Sequence, residues 1–185
     1  MARVLIPLAQ GCEELEAVTL IDLLRRAGIE VVTAGLEGGP VTCSHQTVLI
    51  PDTTLEEAAS GEYDLMVLPG GLPGSDYLNH DPRIRALLQK LHHEGRYVAA
   101  ICAAPKVLAA LGLLDGRRAT GYPGVLESLH LADTELTGAP VEMDGNVITS
   151  RGPGTAMDFA LALIEVLQGQ ASRMAVEEAL KRPTV

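Results

Sequence analysis

The run Val98-Ala99-Ala100-Ile101-Cys102-Ala103-Ala104-Pro105-Lys106-Val107-Leu108 passes from a strand-like apolar segment into a helix-like one, with a thiol at the join. A turn that presents a nucleophile between strand and helix reverses the chain sharply, so the residues two before and two after it must be small. Ala100 and Ala104 meet that demand, and Pro105 suits a first helical turn, where its missing N–H leaves no bond unmade. A sulfur at the start of a helix is expected to have a lowered pKa and to react as thiolate. The same residues also fit a small buried cysteine at the end of an alanine-rich strand.

Two other loops bear on that choice. Gly70-Gly71, directly after the apolar run Leu65-Met66-Val67-Leu68, can turn a backbone N–H toward the same crevice. With the N–H of Ala103, that of Gly71 would make an oxyanion hole, although a plain tight turn reads as well. Glu13, Glu14 and Glu16 crowd a helix start, where carboxylates favour the dipole for structural reasons, and Glu13 and Glu14 are assigned that role. Glu16, between Leu15 and Ala17, can instead turn inward; a carboxyl beside a thiolate would keep its proton through burial and like charge, and could shuttle it.

The elements that must position these groups follow from hydrophobic period. Arg3 to Leu8 reads as a strand, Leu15, Val18, Ile21 and Leu24 recur at helical spacing up to Gly28, and Ile29 to Ala34 reads as a second buried strand. This is a βαβ unit with parallel strands and a right-handed crossover. Val41 to Ile50 predicts a small hairpin or edge element, and Thr53 to Ala59 a short capped helix. Further βα pairs are Leu65–Leu68 with a helix carrying Ile84, Leu87, Leu88 and Leu91, then Tyr97–Cys102 with Pro105–Leu111, closed by Gly112, and Val147–Thr149 with Ala156–Leu167. The alternation predicts an α/β fold of the flavodoxin-like kind, a doubly wound and mostly parallel sheet with helices on both faces. Ligands of such sheets bind outside the carboxyl ends of the strands, where Gln10–Glu16, Pro69–Gly74 and Cys102–Pro105 lie.

The bulk numbers narrow the function classes. At 185 residues, with 47% hydrophobic and 21% charged residues, the sequence reads as one globular domain over 1–185. A net charge of −10 and only four tyrosines, one phenylalanine and no tryptophan argue against nucleic acid as a stable partner. No apolar run suits a membrane span and no leader pattern is read, so a cytoplasmic protein is expected. Cys12, Cys43 and Cys102 form no C-x-x-C pair, and Cys12 and Cys43 are read as packing or accessory thiols. The five histidines, His45, His80, His92, His93 and His130, have no partners at metal spacing, so no metal is expected, and the absence of phosphate-cradling glycine motifs argues against a nucleotide. Ser150-Arg151-Gly152-Pro153-Gly154-Thr155 reads equally as an anion site at a helix start or as a turn and cap.

Taken in order, Gly11-Cys12-Glu13-Glu14-Leu15-Glu16, Leu23-Leu24-Arg25-Arg26-Ala27-Gly28, Leu68-Pro69-Gly70-Gly71, Ala99-Ala100-Ile101-Cys102-Ala103-Ala104-Pro105 and Thr149-Ser150-Arg151-Gly152-Pro153-Gly154-Thr155 resemble the ThiJ/PfpI superfamily. Within it they are similar to the clade of the Parkinson-disease-linked protein deglycase and bacterial YajL. The resemblance implies a cofactor-free homodimer in which Cys102 is the reactive cysteine and a protonated Glu16 its hydrogen-bond partner. It implies action on glyoxal and methylglyoxal or their adducts, as a glyoxalase or protein deglycase, together with oxidation of the cysteine to sulfinic acid and chaperone behaviour. A redox sensor or redox-regulated chaperone without important turnover is the alternative. Ser150 and Gly152 would border the pocket, and Arg26 would lie near the site across the dimer interface. Tyr122 stands where some members carry a histidine, so a Cys-His pair is not expected and Tyr122 would shape the pocket. Ala103 replaces the histidine of PfpI-type peptidases, and no His-x-Glu pair follows Cys102, which argues against peptidase and glutamine amidotransferase activity.

Overall fold

Short, almost wholly apolar segments such as Arg3–Leu8 and Leu65–Leu68 suit strands covered on both faces, and these form the centre of the sheet. The computed structural model describes residues 1–183. Its strands are β1 (Arg3–Leu8), β2 (Glu30–Gly35), β3 (Val41–Thr42), β4 (Val48–Leu49), β5 (Thr53–Thr54), β6 (Leu65–Leu68), β7 (Tyr97–Ile101), β8 (Arg118–Ala119), β9 (Glu135–Leu136), β10 (Val141–Asp144) and β11 (Val147–Ser150). The helices are α1 (Glu14–Arg26), α2 (Leu55–Ala58), α3 (Gly74–His80), α4 (Pro82–His93), α5 (Pro105–Ala109), α6 (Ala156–Gln168) and α7 (Gln170–Ala179).

Seven strands make one sheet in the order β10-β11-β7-β6-β1-β2-β5, parallel except for the edge strand β10, which pairs antiparallel to β11. The register sets Val4 beside Val31 and Leu65, and Ala99 beside Val67 and Ile148. Because side chains alternate along a strand, Val4, Ile6 and Leu8 enter one layer and Leu5 the other. The first layer packs Leu20 and Leu24 of α1 against Phe159 and Leu163 of α6; the second packs Ile84 and Leu88 of α4 against Met66 and Val98. This is the flavodoxin-like α/β architecture expected from the sequence. The chain runs outward from β1 to β2 and then returns to the far side of β1 as β6, so the crevice at the carboxyl ends of β1 and β6 is the switch point. The loops after β1, β6 and β7 meet there.

Local signals account for the helix ends. Glu13 caps α1 by accepting the Glu16 N–H, and Asp81 caps α4 by accepting from Arg83 and Ile84, with Pro82 in the first turn. The expected short helix at Thr53–Ala59 is two elements: Thr53–Thr54 joins the sheet edge as β5, and Thr54 then caps α2 in a box with Glu57. The helix expected after Cys102 ends at Ala109 and continues as turns to Gly112, whose φ is +70°. The α3 and α7 helices and the β10 strand were not read from the sequence. His80 is the last residue of α3 and immediately precedes Asp81, the cap of α4. Among the described residues no helix is long and apolar enough to cross a membrane.

Phe159 is fully buried at the contact of α6 with the sheet. Phe159→Ala should destabilise the protein by about 3–5 kcal/mol, through lost transfer energy and the cavity left behind. Urea denaturation measures this, and an unchanged midpoint would contradict the placement of the core.

Candidate active site

The backbone at the end of β7 is held in an unusual conformation. Cys102 has a φ of +64°, in the left-handed region that a non-glycine residue occupies at a cost of about 1–3 kcal/mol unless its surroundings enforce it. They do so here: the Cys102 N–H donates to the Ser150 carbonyl at 3.0 Å, and the Cys102 carbonyl accepts from the Tyr122 N–H at 2.8 Å. Ala100 and Ala104 are wholly buried on either side, leaving no room for larger residues, and Pro105 opens α5. This is the strained turn that the small-residue pattern anticipated.

The loops after β1 and β6 are laced together against it. The Glu13 N–H donates to the Gly70 carbonyl at 3.0 Å, and the Gly70 N–H donates to Glu16 Oε2 at 2.8 Å. A Cβ on Gly70 would lie 2.7 Å from the Cys102 Cβ and 2.8 Å from Glu16 Oε2, so the absent side chain is what lets carboxyl and cysteine meet. Gly71, with φ +89°, presses so closely on Glu13 that an added Cβ would stand 2.4 Å from its nitrogen. Glu16 is fully buried; Oε1 has no hydrogen-bond partner among the described residues, and the Glu16 N–H is taken by Glu13 Oε2 at 2.7 Å.

These surroundings decide the electrostatics. Burial pushes Glu16 up to about 7, against the pull of the Gly70 N–H and the Cys102 thiol, and the nearby Glu13 charge adds to the rise. Cys102 is pushed up to about 12, first by burial and then by the charge of Glu16, against the Ala103 and Gly71 N–H groups. The expectation of a thiol lowered by a helix dipole is therefore corrected: α5 has five residues, too short for a strong dipole, and only 8% of Cys102 is exposed. The two groups titrate as a unit. Below about 7 both hold protons. Above it the pair shares one negative charge and one proton, and a proton on Glu16 removes the charge that raises the sulfur.

The other sequence-predicted residues divide. The N–H groups of Ala103 and Gly71 both approach the sulfur. Gly70 spends its N–H on Glu16 and so positions the acid. The Tyr122 ring, half exposed, lies over Gly152, whose Cβ position is 3.3 Å from it. Ser150 adjoins the elbow through its backbone carbonyl, which accepts the Cys102 N–H, while its hydroxyl bonds the Pro140 carbonyl and Thr155 Oγ1, each at 2.7 Å. Arg26 pairs with Asp22 at 2.7 Å on the last turn of α1 and is not brought to Cys102 within this chain. Two contributors were missed. Glu13 does more than complement a dipole, because it fixes the Glu16 backbone and charges its surroundings; its place three residues before Glu16 was the available signal. Lys106, next to Pro105, ties α5 to α3 through Asp76 at 2.5 Å.

His45 also departs from expectation. Its Nδ1 is 3.3 Å from Glu14 and 3.7 Å from Glu13, and the ligand atoms of the three residues lie within 4.8 Å of one another. Glu14 is already engaged: against the cost of burial, hydrogen bonds including those from the backbone of His45 and Thr47 and the Ser44 hydroxyl hold its carboxyl down at about 2. It caps the turn after β3.

A group whose folded pKa lies above its unfolded value adds stability below the unfolded value and loses that contribution as pH rises through the folded one. For Glu16, raised from 4.5 to about 7, the loss spans that interval. Its size is about 3 kcal/mol. Glu16→Gln should therefore gain stability relative to the native protein between pH 5 and pH 8 in denaturant titrations; parallel curves would contradict the assignment.

The DJ-1/PfpI family model matches residues 2–166. The Parkinson disease protein 7 homolog of Danio rerio is 44% identical over 170 residues, covering 90% of each chain. The glutathione-independent glyoxalase DJR-1.2 of Caenorhabditis elegans is 35% identical over 168 residues, covering 91% of this chain and 89% of that one. The crystal structure of Drosophila melanogaster DJ-1beta superposes with a TM-score of 0.94 at 42% identity, covering 99% of both chains. With a family model matching residues 2–166, relatives 35–44% identical over nine-tenths of the chain and a shared fold, the chain belongs to the DJ-1/PfpI family.

Proposed function

We propose that the protein is a cofactor-free glyoxalase that converts small α-oxoaldehydes, glyoxal and methylglyoxal, to hydroxy acids at Cys102. The observation that carries this reading is the strained Cys102 set against a buried carboxyl with one oxygen unpartnered. A relative named as a glutathione-independent glyoxalase supports the substrate class.

Once the pair carries its charge, Glu16 takes the Cys102 thiol proton as the sulfur attacks the aldehyde carbon; the Gly71 and Ala103 N–H groups hold the developing oxyanion, which then takes that proton from Glu16. The product is a hemithioacetal. Glu16, now a carboxylate, removes the C–H proton beside the sulfur and returns it to the neighbouring carbon, while the hydroxyl proton passes to the oxygen of that carbon, giving the thioester of the hydroxy acid. Water then displaces the sulfur, releasing the hydroxy acid and restoring the thiol. Electrons move only within the substrate, so no external oxidant or cofactor is required. On an aldehyde already added to an amine or thiol, loss of that amine or thiol with a proton from Glu16 and bonding of the same carbon to sulfur would give the same hemithioacetal and make the protein a deglycase.

The enzyme acts as a homodimer. Leu15 and Val18 on α1 are 51% and 44% exposed, and Val48 and Ile50 are 57% and 85% exposed. Val18, Ile21, Leu49 and Ile50 line one recess. A second copy covering this face would bury an apolar patch too large for water contact to favour. Val18→Glu is expected to turn a dimer into a monomer in sedimentation equilibrium; a native protein monomeric at micromolar concentration would refute the assembly.

Cys102→Ser should abolish methylglyoxal consumption. Glu16→Gln should lower kcat/KM by about 10²-fold or more and remove the rise in rate with pH through about 7 that accompanies charging of the pair. Retained turnover in Cys102→Ser would overturn the mechanism. Stoichiometric sulfinic acid at Cys102 under mild peroxide, with no aldehyde consumption, would favour the redox-sensor reading.

A further inference from the structure

Two thiols that the proposed reaction does not use lie side by side. Cys12 Sγ and Cys43 Sγ are 3.6 Å apart across 31 residues of chain, in a pocket where Cys12 is 0% and Cys43 2% exposed. Their backbones are pinned on both sides. The Gly11 N–H donates to the Thr42 carbonyl and the Ser44 N–H to the Cys12 carbonyl, each at 2.8 Å. A disulfide places sulfurs about 2.05 Å apart, so the pair needs to close by about 1.5 Å, within reach of small side-chain rotations.

We propose that Cys12 and Cys43 form a reversible intramolecular disulfide, a modification site separate from Cys102. The surroundings favour this product over others. Burial, with the nearby Glu14 charge, raises both thiols and penalises any ionised form, including the sulfinate reached by oxidising one sulfur alone. A disulfide carries no charge and needs no hydrogen-bond partner, so the same burial leaves it unpenalised. The oxidant is a hydroperoxide. Cys43, on opening, attacks the terminal peroxide oxygen; an S–O bond forms, the O–O bond breaks and an alcohol, or water when the oxidant is hydrogen peroxide, leaves with the Cys43 proton. Cys12 sulfur then attacks the Cys43 sulfur, an S–S bond forms, the S–O bond breaks and water leaves with the Cys12 proton. The two sulfurs lose two electrons, and the peroxide bond takes them. Access comes through local opening of the β3–β4 hairpin, which is held by only two residue pairs.

The link would bear on the neighbouring site. A Cβ on Gly74 would stand 2.6 Å from the Cys12 nitrogen, and one on Gly71 2.8 Å from the Cys12 carbonyl carbon. The disulfide would tie the loop that carries Glu13 and leads to Glu16 to the hairpin. This inference does not rest on aldehyde chemistry, and its failure would leave that reading untouched.

The test is to treat the full-length protein with a modest excess of hydrogen peroxide, quench in acid, alkylate under denaturing conditions and analyse the peptides by mass spectrometry. The expected result is a Cys12–Cys43 linked peptide that dithiothreitol dissolves and that neither Cys12→Ser nor Cys43→Ser yields. Equilibration in glutathione buffers removes slow access as a variable, and there the link should appear with a rise in Tm of about 5 °C, absent from both variants. The proposal is overturned if Cys12 and Cys43 remain fully alkylatable at equilibrium with oxidised glutathione, or if they carry only glutathione adducts or bonds between chains.

Discussion

The site depends on one buried acid. Glu16 sits without solvent, with a single backbone donor on Oε2 and none on Oε1, beside a cysteine that is itself nearly sealed. A carboxyl in that position cannot ionise at its ordinary pKa, because burial penalises the charge and the nearby Glu13 adds to it. Its proton is retained to near neutrality, and once it is lost the carboxylate can take the proton of the adjoining thiol. A thiol buried alone would be inert; buried beside a proton carrier, it can attack without first existing as a free, desolvated anion.

The fold exists around that arrangement in a concrete sense. Reversal of strand order brings the ends of β1 and β6 together, β7 delivers the cysteine next to them, and β11 supplies the Ser150 carbonyl that holds the elbow. Two glycines make the approach close enough: Gly70 admits the carboxyl, and Gly71 lets the loop after β6 lie against Glu13. The strain stored at Cys102 is sustained by hydrogen bonds from two separate segments, so the geometry is over-determined rather than flexible.

Much of this was legible in the sequence where the signal is local. The parallel strands announce themselves as short apolar runs, and Ala100, Ala104 and Pro105 mark the elbow because steric demands there act within five residues. Glu16 could be placed inward from its apolar neighbours. What escaped depends on distance. The sequence suggests a lowered thiol pKa at a helix start, but burial by Gly70, Glu16 and the α5 turn outweighs a five-residue helix. Ser150 was placed beside the pocket by motif, but the partners that fix it, Pro140 and Thr155 at its hydroxyl and Cys102 at its carbonyl, cannot be guessed from spacing. The pairing of Cys12 with Cys43 and the company His45 keeps with Glu13 and Glu14 likewise arise only when the hairpin folds back on the loop after β1.

The most direct test is infrared spectroscopy of the Glu16 carboxyl as a function of pH, taking Glu16→Gln as the blank. A raised pKa of about 7 predicts a protonated-carboxyl band that is still present at pH 6 and absent from the blank. If Glu16 is already ionised by pH 6, having titrated in the ordinary carboxylate range, the buried acid is not a proton carrier and the account fails.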